Sequence, residues 1–154
     1  MSSHKKINIA VVGATGYTGL DLVLMLSKHP KVNIINLCAT KNIGKKINFF
    51  DSRIKKNLPK ITSLKSIKWK EIDLVFLSTP NGEAQKLIKK LFFINDNLKF
   101  IDLSADFRIS NKRIYEKNYK IKHKAVNLIK KSLYSIPELS NKNISQYRII
   151  SNPG

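Results

Sequence analysis

Disulfides are the first thing this chain lacks. Its 154 residues hold one cysteine, Cys38, so no internal bridge can form, and a lone thiol suits the reducing cytoplasm. Acid is also short: 10 Asp and Glu stand against 29 Lys and Arg, for a net charge of +19. Only four of those cations are arginine, the usual reader of base edges. The lysines run from Lys5 to Lys142 without a dominant block, and Lys, Asn and Ile share A/T-rich codons. They read as a solvated surface on a drifted composition, and no nucleic-acid partner is expected. Such a partner would require lysines gathered on one face, away from any ligand crevice. His4, His29 and His123 have no metal-ligand spacing and no Cys/His cluster exists, so no metal is expected. No apolar run approaches the ~20 residues of a membrane span, and no membrane partner is expected. Lys5-Lys6 ahead of Ile7 imitates a signal peptide. Gly13, Gly16, Gly19 and Asp21 interrupt the apolar stretch, however, and no small-residue cleavage site follows.

The strongest local signal is "INIAVVGATGYTGLDLVLMLSKHP". Ile7–Val12 is a short apolar run suited to a strand buried on both faces of a parallel sheet. The glycine turn G-A-T-G-Y-T-G follows, then Leu22, Val23 and Leu26 at helical spacing, with His29-Pro30 as the stop. Strand, glycine turn and helix are the setting a dinucleotide fingerprint requires. Gly13 permits the tight turn, Gly16 leaves room for a pyrophosphate, and Gly19 lets the helix pack closely on the sheet. The free amides of the first helical turn then face the phosphates. Spacing is G-x-x-G-x-x-G, a variant of the dinucleotide pattern, and no Gly-Lys-Ser/Thr follows to make a P-loop. A second strand is expected over 33–39. No acid lies between Asp21 and Asp51 to bind a ribose 2′-hydroxyl; Thr40, Lys41, Lys45 and Lys46 stand there instead and favour the 2′-phosphate of NADP. Cys38 reads as a core residue of that strand.

"IDLVFLSTPNGEAQKLIKKLFF" repeats the pattern, with a buried strand to about Ser78, a Pro-Asn-Gly turn, and a helix bearing Ala84, Leu87, Ile88 and Leu91 on one face. "KFIDLSADFR" adds a further strand ending in polar residues. Strands alternating with helices predict an α/β, Rossmann-like fold with a mostly parallel, doubly wound sheet. Turns 15–18, 78–82 and 104–108 are expected to converge on one crevice beyond the strand ends. Residues 42–69 read as loops with a short helix and one strand. Residues 111–132 read as helix and loop, with Tyr115 and Tyr119 in the core. At the end, Arg148-Ile149-Ile150 reads as the start of a buried strand, and Asn152-Pro153-Gly154 as a turn that leads into an interior.

"GATGYTGLDL", "STPNG", "DLSADFR", "YSIPEL" and "SNPG" occur in the order and spacing of N-acetyl-gamma-glutamyl-phosphate reductase, which the whole chain resembles. The alternative relative, aspartate-semialdehyde dehydrogenase, differs at "SADFR" and "NPG". The resemblance implies NADP-dependent reduction of an acyl phosphate, N-acetyl-glutamyl 5-phosphate, to its semialdehyde in arginine biosynthesis. A cysteine thiolate attacks, phosphate leaves, and hydride from the nicotinamide reduces the thioester. In that family the nucleophilic cysteine follows Asn-Pro-Gly directly. Residues 1–154 are therefore expected to form a C-terminally truncated NAD(P)-binding domain without a catalytic residue. The histidine and the second, α+β domain would lie further on, and the full-length family is expected to self-associate. Gly13, Ala14, Thr15, Gly16, Tyr17, Thr18 and Gly19 would hold the cofactor, with Thr40 and Lys41 near the adenosine ribose. Ser78, Pro80 and Asn81 would flank the nicotinamide, and Arg108, Glu138 and Asn152 would meet the substrate. The competing reading is a nucleotide-binding module without chemistry.

Overall fold

The computed structural model describes residues 5–140 and 142–153. His4 and Gly154, both weighed in the sequence, lie outside the described residues. The chain divides into two compact units, Met1–Ser78 and Thr79–Gly154.

The first unit runs β1 (Ile7–Val12), α1 (Tyr17–Lys28), β2 (Val32–Cys38), β3 (Ile61–Thr62) and β4 (Leu74–Leu77). Its strands pair in the order β3-β2-β1-β4, every pairing parallel. Ile9, Ala10 and Val11 are all fully buried although neighbours on a strand face opposite ways, so β1 is covered on both faces. Ile9, Val11, Val23, Ile34, Leu37 and Ile61 belong to one apolar cluster. The face α1 buries most deeply is Gly19, Val23 and Ser27, while Leu22 and Leu26 are half-buried beside it. Of the expected Leu22, Val23 and Leu26, Val23 is fully buried and the two leucines pack against the core from beside it. Ser27 offsets its burial by donating its hydroxyl to the Leu24 carbonyl at 2.8 Å. Residues 42–69 hold the single expected strand, β3, and loops, but in place of one short helix they carry 3-10 turns at Ile47–Phe49 and Leu64–Ser66 and the start of a third at Trp69–Glu71.

The second unit holds α2 (Glu83–Leu91), β5 (Lys99–Asp102), α3 (Lys112–Tyr119), α4 (Val126–Ile129), β6 (Ser132–Tyr134) and β7 (Ile149–Ser151). β7 lies between β5 and β6, parallel to both, with Ile150 level with Ile101 on one side and Leu133 on the other. Arg148 anchors its start. The guanidinium donates to the carbonyls of Phe92 (2.9 Å), Asn95 (2.8 Å) and Leu98 (3.2 Å) and sits 4.0 Å over the Phe92 ring. Asn111 begins α3 as a side-chain cap, accepting from the amides of Arg113 and Ile114. Tyr115 is fully buried, as expected of a core tyrosine. β6 went unmarked in the sequence because only Leu133 of its three residues is buried, too short a run to show a period. Among the described residues no helix is long and apolar enough to cross a membrane.

Candidate functional site

In the first unit the 13–19 turn is held from three directions. The amides of Gly13 and Ala14 both donate to the Cys38 carbonyl, at 2.9 and 3.0 Å, tying the turn to the end of β2. Gly13 has φ +83°, and a Cβ there would land on the Ser78 carbonyl oxygen. Ser78 is fixed in turn by its amide, which donates to Val12 at 2.9 Å. A Cβ on Gly19 would run into the Gly13 carbonyl oxygen and stand 3.0 Å from the Ala14 backbone. Gly19 therefore allows α1 to close onto the turn itself, where the sequence suggested packing on the sheet.

Gly16 differs. Its Cβ would meet only the Gly13 carbonyl oxygen, at an ordinary 3.5 Å, so nothing within this unit requires a glycine there. Gly16, Tyr17 and Thr18 are exposed, Thr15 is half-buried and Ala14 is buried. Gly16 is the N-cap of α1 and has no side chain to occupy the first-turn amides, and that turn carries no acid. An exposed helix start with free amides, no capping side chain and no negative charge fits a dinucleotide pyrophosphate. The second glycine turn does not offer this. At α2 the amides of Gly82 and Gln85 donate to the Asp106 carboxylate, at 2.7 and 2.9 Å, and Glu83 adds a further negative charge.

Beyond β2, Thr40 and Lys41 are exposed. The acids that flank this segment in sequence are both engaged by Arg53, which reaches Asp51 at 2.7 Å and Asp21 at 2.8 Å. Hydrogen bonds from Arg53 hold the Asp51 carboxyl below its ordinary pKa. Cys38 is buried, with its sulfur 3.6 Å from the Thr62 hydroxyl. Burial pushes its thiol pKa up and outweighs the Thr62 contact, which leaves a poor nucleophile.

The second unit joins two of the expected turns directly. Asn81 Oδ1 accepts from the Ala105 amide at 3.0 Å, and Asp106 accepts from Gly82, so the 80–82 and 104–108 segments form one hydrogen-bonded body. Pro80 and Asn81 are exposed at its surface. Arg108 is half-buried and donates from Nη2 to the Leu103 carbonyl at 2.7 Å, while its buried Nε has no partner. Asn152 is half-buried, with its amide donating to the Asp102 carbonyl at 2.8 Å. Glu138 is exposed in the turn after Pro137. Sequence reasoning missed Asp102, Asp106 and the Tyr115 hydroxyl. Two acids set among apolar neighbours, in "FIDLSADF", were the available signal. Asp102 is fully buried, with Oδ1 accepting from the Ser104 amide at 2.9 Å and Oδ2 without a partner. Burial, only partly opposed by the Ser104 hydrogen bonds, pushes its pKa up to about 6.

Residues 8–147 match the family model for the semialdehyde dehydrogenase, NAD binding domain. The chain belongs to that family. Its fold is accordingly the Rossmann-like α/β arrangement expected from the sequence. A N-acetyl-gamma-glutamyl-phosphate reductase of Afipia carboxidovorans is 36% identical across all of this chain and 44% of its own length. The enzyme of the same name from Ehrlichia canis is 39% identical over 97% of this chain and 42% of its own. The chain thus spans less than half the length of the curated relatives it matches. Among solved structures, aspartate semialdehyde dehydrogenase with NADP from Candida albicans superposes with a TM-score of 0.63. It shares 20% identity, over 96% of this chain and 42% of that one, a likeness of fold.

Proposed function

We propose that these 154 residues form the NADP-binding part of an N-acetyl-gamma-glutamyl-phosphate reductase. The observation that carries this reading is the end of the 13–19 turn at α1: an exposed, uncapped helix start with no acid in its first turn, in a chain whose relatives carry that name. The backbone of Gly13, Ala14, Thr15, Gly16, Tyr17, Thr18 and Gly19 is assigned to the pyrophosphate. Thr40 and Lys41 are assigned to the 2′-phosphate; a hydroxyl and an ammonium suit a phosphate, and no acid stands there to repel it. When bound, the dinucleotide supplies the hydride that reduces an acyl group. Ser78, Pro80 and Asn81 are assigned to the nicotinamide side by sequence resemblance. Arg108 is assigned to the acyl phosphate, because its guanidinium keeps an unused Nε donor beside a fixed Nη2. Glu138 and Asn152 are assigned to the substrate by resemblance alone.

The nucleophile is not among these residues, since Cys38 is buried within β2 with its thiol held protonated. The same free thiol suits a cytoplasmic setting, and self-association of the full-length family belongs to this reading. Titration by nucleotide fluorescence tests it, with tighter binding of NADPH than of NADH expected and equal or reversed affinity removing the 2′-phosphate assignment. Gly16→Val is expected to abolish binding. NADPH oxidation in the presence of N-acetylglutamyl phosphate should be absent for residues 1–154, and robust turnover would overturn the assignment of the nucleophile.

A further inference from the structure

One side chain in the second unit gathers more polar partners than any role assigned so far explains. Asp106 is fully buried. Its Oδ1 accepts from the Gly82 amide at 2.7 Å and from the Tyr115 hydroxyl at 2.6 Å, and its Oδ2 accepts from the Gln85 amide at 2.9 Å. Its backbone carbonyl meets His123 Nε2 at 2.8 Å. His123 Nδ1 accepts from the Ala125 amide, so the ring proton must sit on Nε2 and donate to Asp106. Tyr115 is fixed from its other side, where Gln85 Nε2 donates to its oxygen at 3.1 Å. Gln85, also fully buried, accepts from the Lys124 amide.

A helix cap normally comes from the residue just ahead of the helix. Here the N-cap is Gly82, which has no side chain, and the capping carboxylate arrives from 24 residues later. That substitution has a geometric result. The carboxylate closing α2 belongs to the loop that carries Arg108, and the capped turn carries Asn81, which itself accepts from Ala105. A local cap would hold α2 equally well but would remove the carboxylate link and leave the Asn81–Ala105 hydrogen bond to join the two loops.

We propose that Asp106 is a positioning residue, which acts through the Gly82 and Gln85 amides and Tyr115 to fix Asn81 and Arg108 relative to each other for ligand binding. The proposal rests on the functional reading above, in which Pro80 and Asn81 flank the nicotinamide.

The test compares two ligands on the 154-residue chain: NADPH, and 2′-phospho-ADP-ribose, which lacks the nicotinamide ring. Asp106→Asn keeps the shape but turns an N–H toward the Gln85 amide, and Tyr115→Phe removes one donor while keeping the ring. Each variant is expected to weaken NADPH binding about tenfold, the scale of one charge-assisted hydrogen bond. Affinity for 2′-phospho-ADP-ribose should stay within about twofold of wild type, and thermal unfolding is followed in parallel. Equal losses for both ligands, or no loss for either, would overturn the positioning role and leave Asp106 a stability residue. If Asp106→Asn does not fold, Tyr115→Phe decides by the same criterion. A wild-type chain that binds neither ligand refutes the functional reading, and the proposal with it; that outcome is distinct from selective failure of the variants.

Discussion

Replacing Gly16 by serine should raise or preserve stability while weakening dinucleotide binding, whereas the neighbouring Gly19→Ala should lower stability outright. Gly16 has φ −76° and ψ 165°, a conformation open to any residue, and an added Cβ meets nothing closer than 3.5 Å. Serine is also a favoured N-cap, its hydroxyl accepting from an amide two or three residues on, for a gain over glycine of a few tenths of a kcal/mol. That hydroxyl would occupy the amide of Thr18 or Gly19 and stand where the phosphate is assigned. Loss of one charge-assisted hydrogen bond, at about 1.5–3 kcal/mol, predicts roughly 10–100-fold weaker NADPH binding. At Gly19 the added methyl meets only backbone, the Gly13 carbonyl and Ala14, and backbone cannot swing aside. A cost of about 2–4 kcal/mol follows, or a fall in Tm of roughly 5–15 °C for a chain this size. Fluorescence titration and thermal unfolding by circular dichroism measure both variants. A Gly16→Ser protein that is well folded and binds NADPH as tightly as wild type would refute the placement of the pyrophosphate.

Asp102 gives a pH signature with a definite sign. Its folded pKa, about 6, lies above its unfolded value of 3.8, so its protonated form contributes stability below about pH 3.8, and that contribution is lost as pH rises through about 6. Asp102→Asn cannot titrate. Its stability relative to wild type should therefore improve between pH 4 and pH 7 by up to about 3 kcal/mol, measured by urea unfolding at each pH. A difference independent of pH would mean the carboxyl is already ionised at low pH. Cys38 should react with a thiol-specific reagent such as dithionitrobenzoate only as the chain unfolds, because it is buried and its thiol pKa is raised. Rapid labelling of the native protein, far from the thermal transition, would contradict that.

Much of the first unit could be read from its residues. Ile7–Val12 is β1 to the residue, and the glycine turn, helix and second strand follow where apolar period and turn chemistry put them. That stretch is governed by local rules: an apolar run, a glycine of positive φ, a helix stop at His29-Pro30. The second unit was less legible because its decisive contacts are long-range. Nothing near α2 in sequence announces that its cap is Asp106, and nothing in "YEKNY" marks the Tyr115 hydroxyl as that acid's partner. The tyrosine was correctly placed in the core, yet a residue's burial does not disclose which hydrogen bond its hydroxyl makes. Arg108 was read from the sequence only as a group that would meet the substrate. The contact found is to a backbone carbonyl, which involves no charge pattern that a sequence could display.

The position of β7 between β5 and β6 sets an order of events during synthesis. β6 is made before β7, yet the parallel neighbour it pairs with in this unit is β7, at Ile149–Ser151. Until that segment leaves the ribosome, β6 has no ladder to join. β5 likewise waits, nearly fifty residues, for its contact with Ile149. Loop-closure entropy must be met before either pairing repays it, so the strands of this unit should assemble late and in a single step. In the interval Leu133 and Phe100 belong to strands with open edges, the form in which nascent chains are most apt to associate with one another.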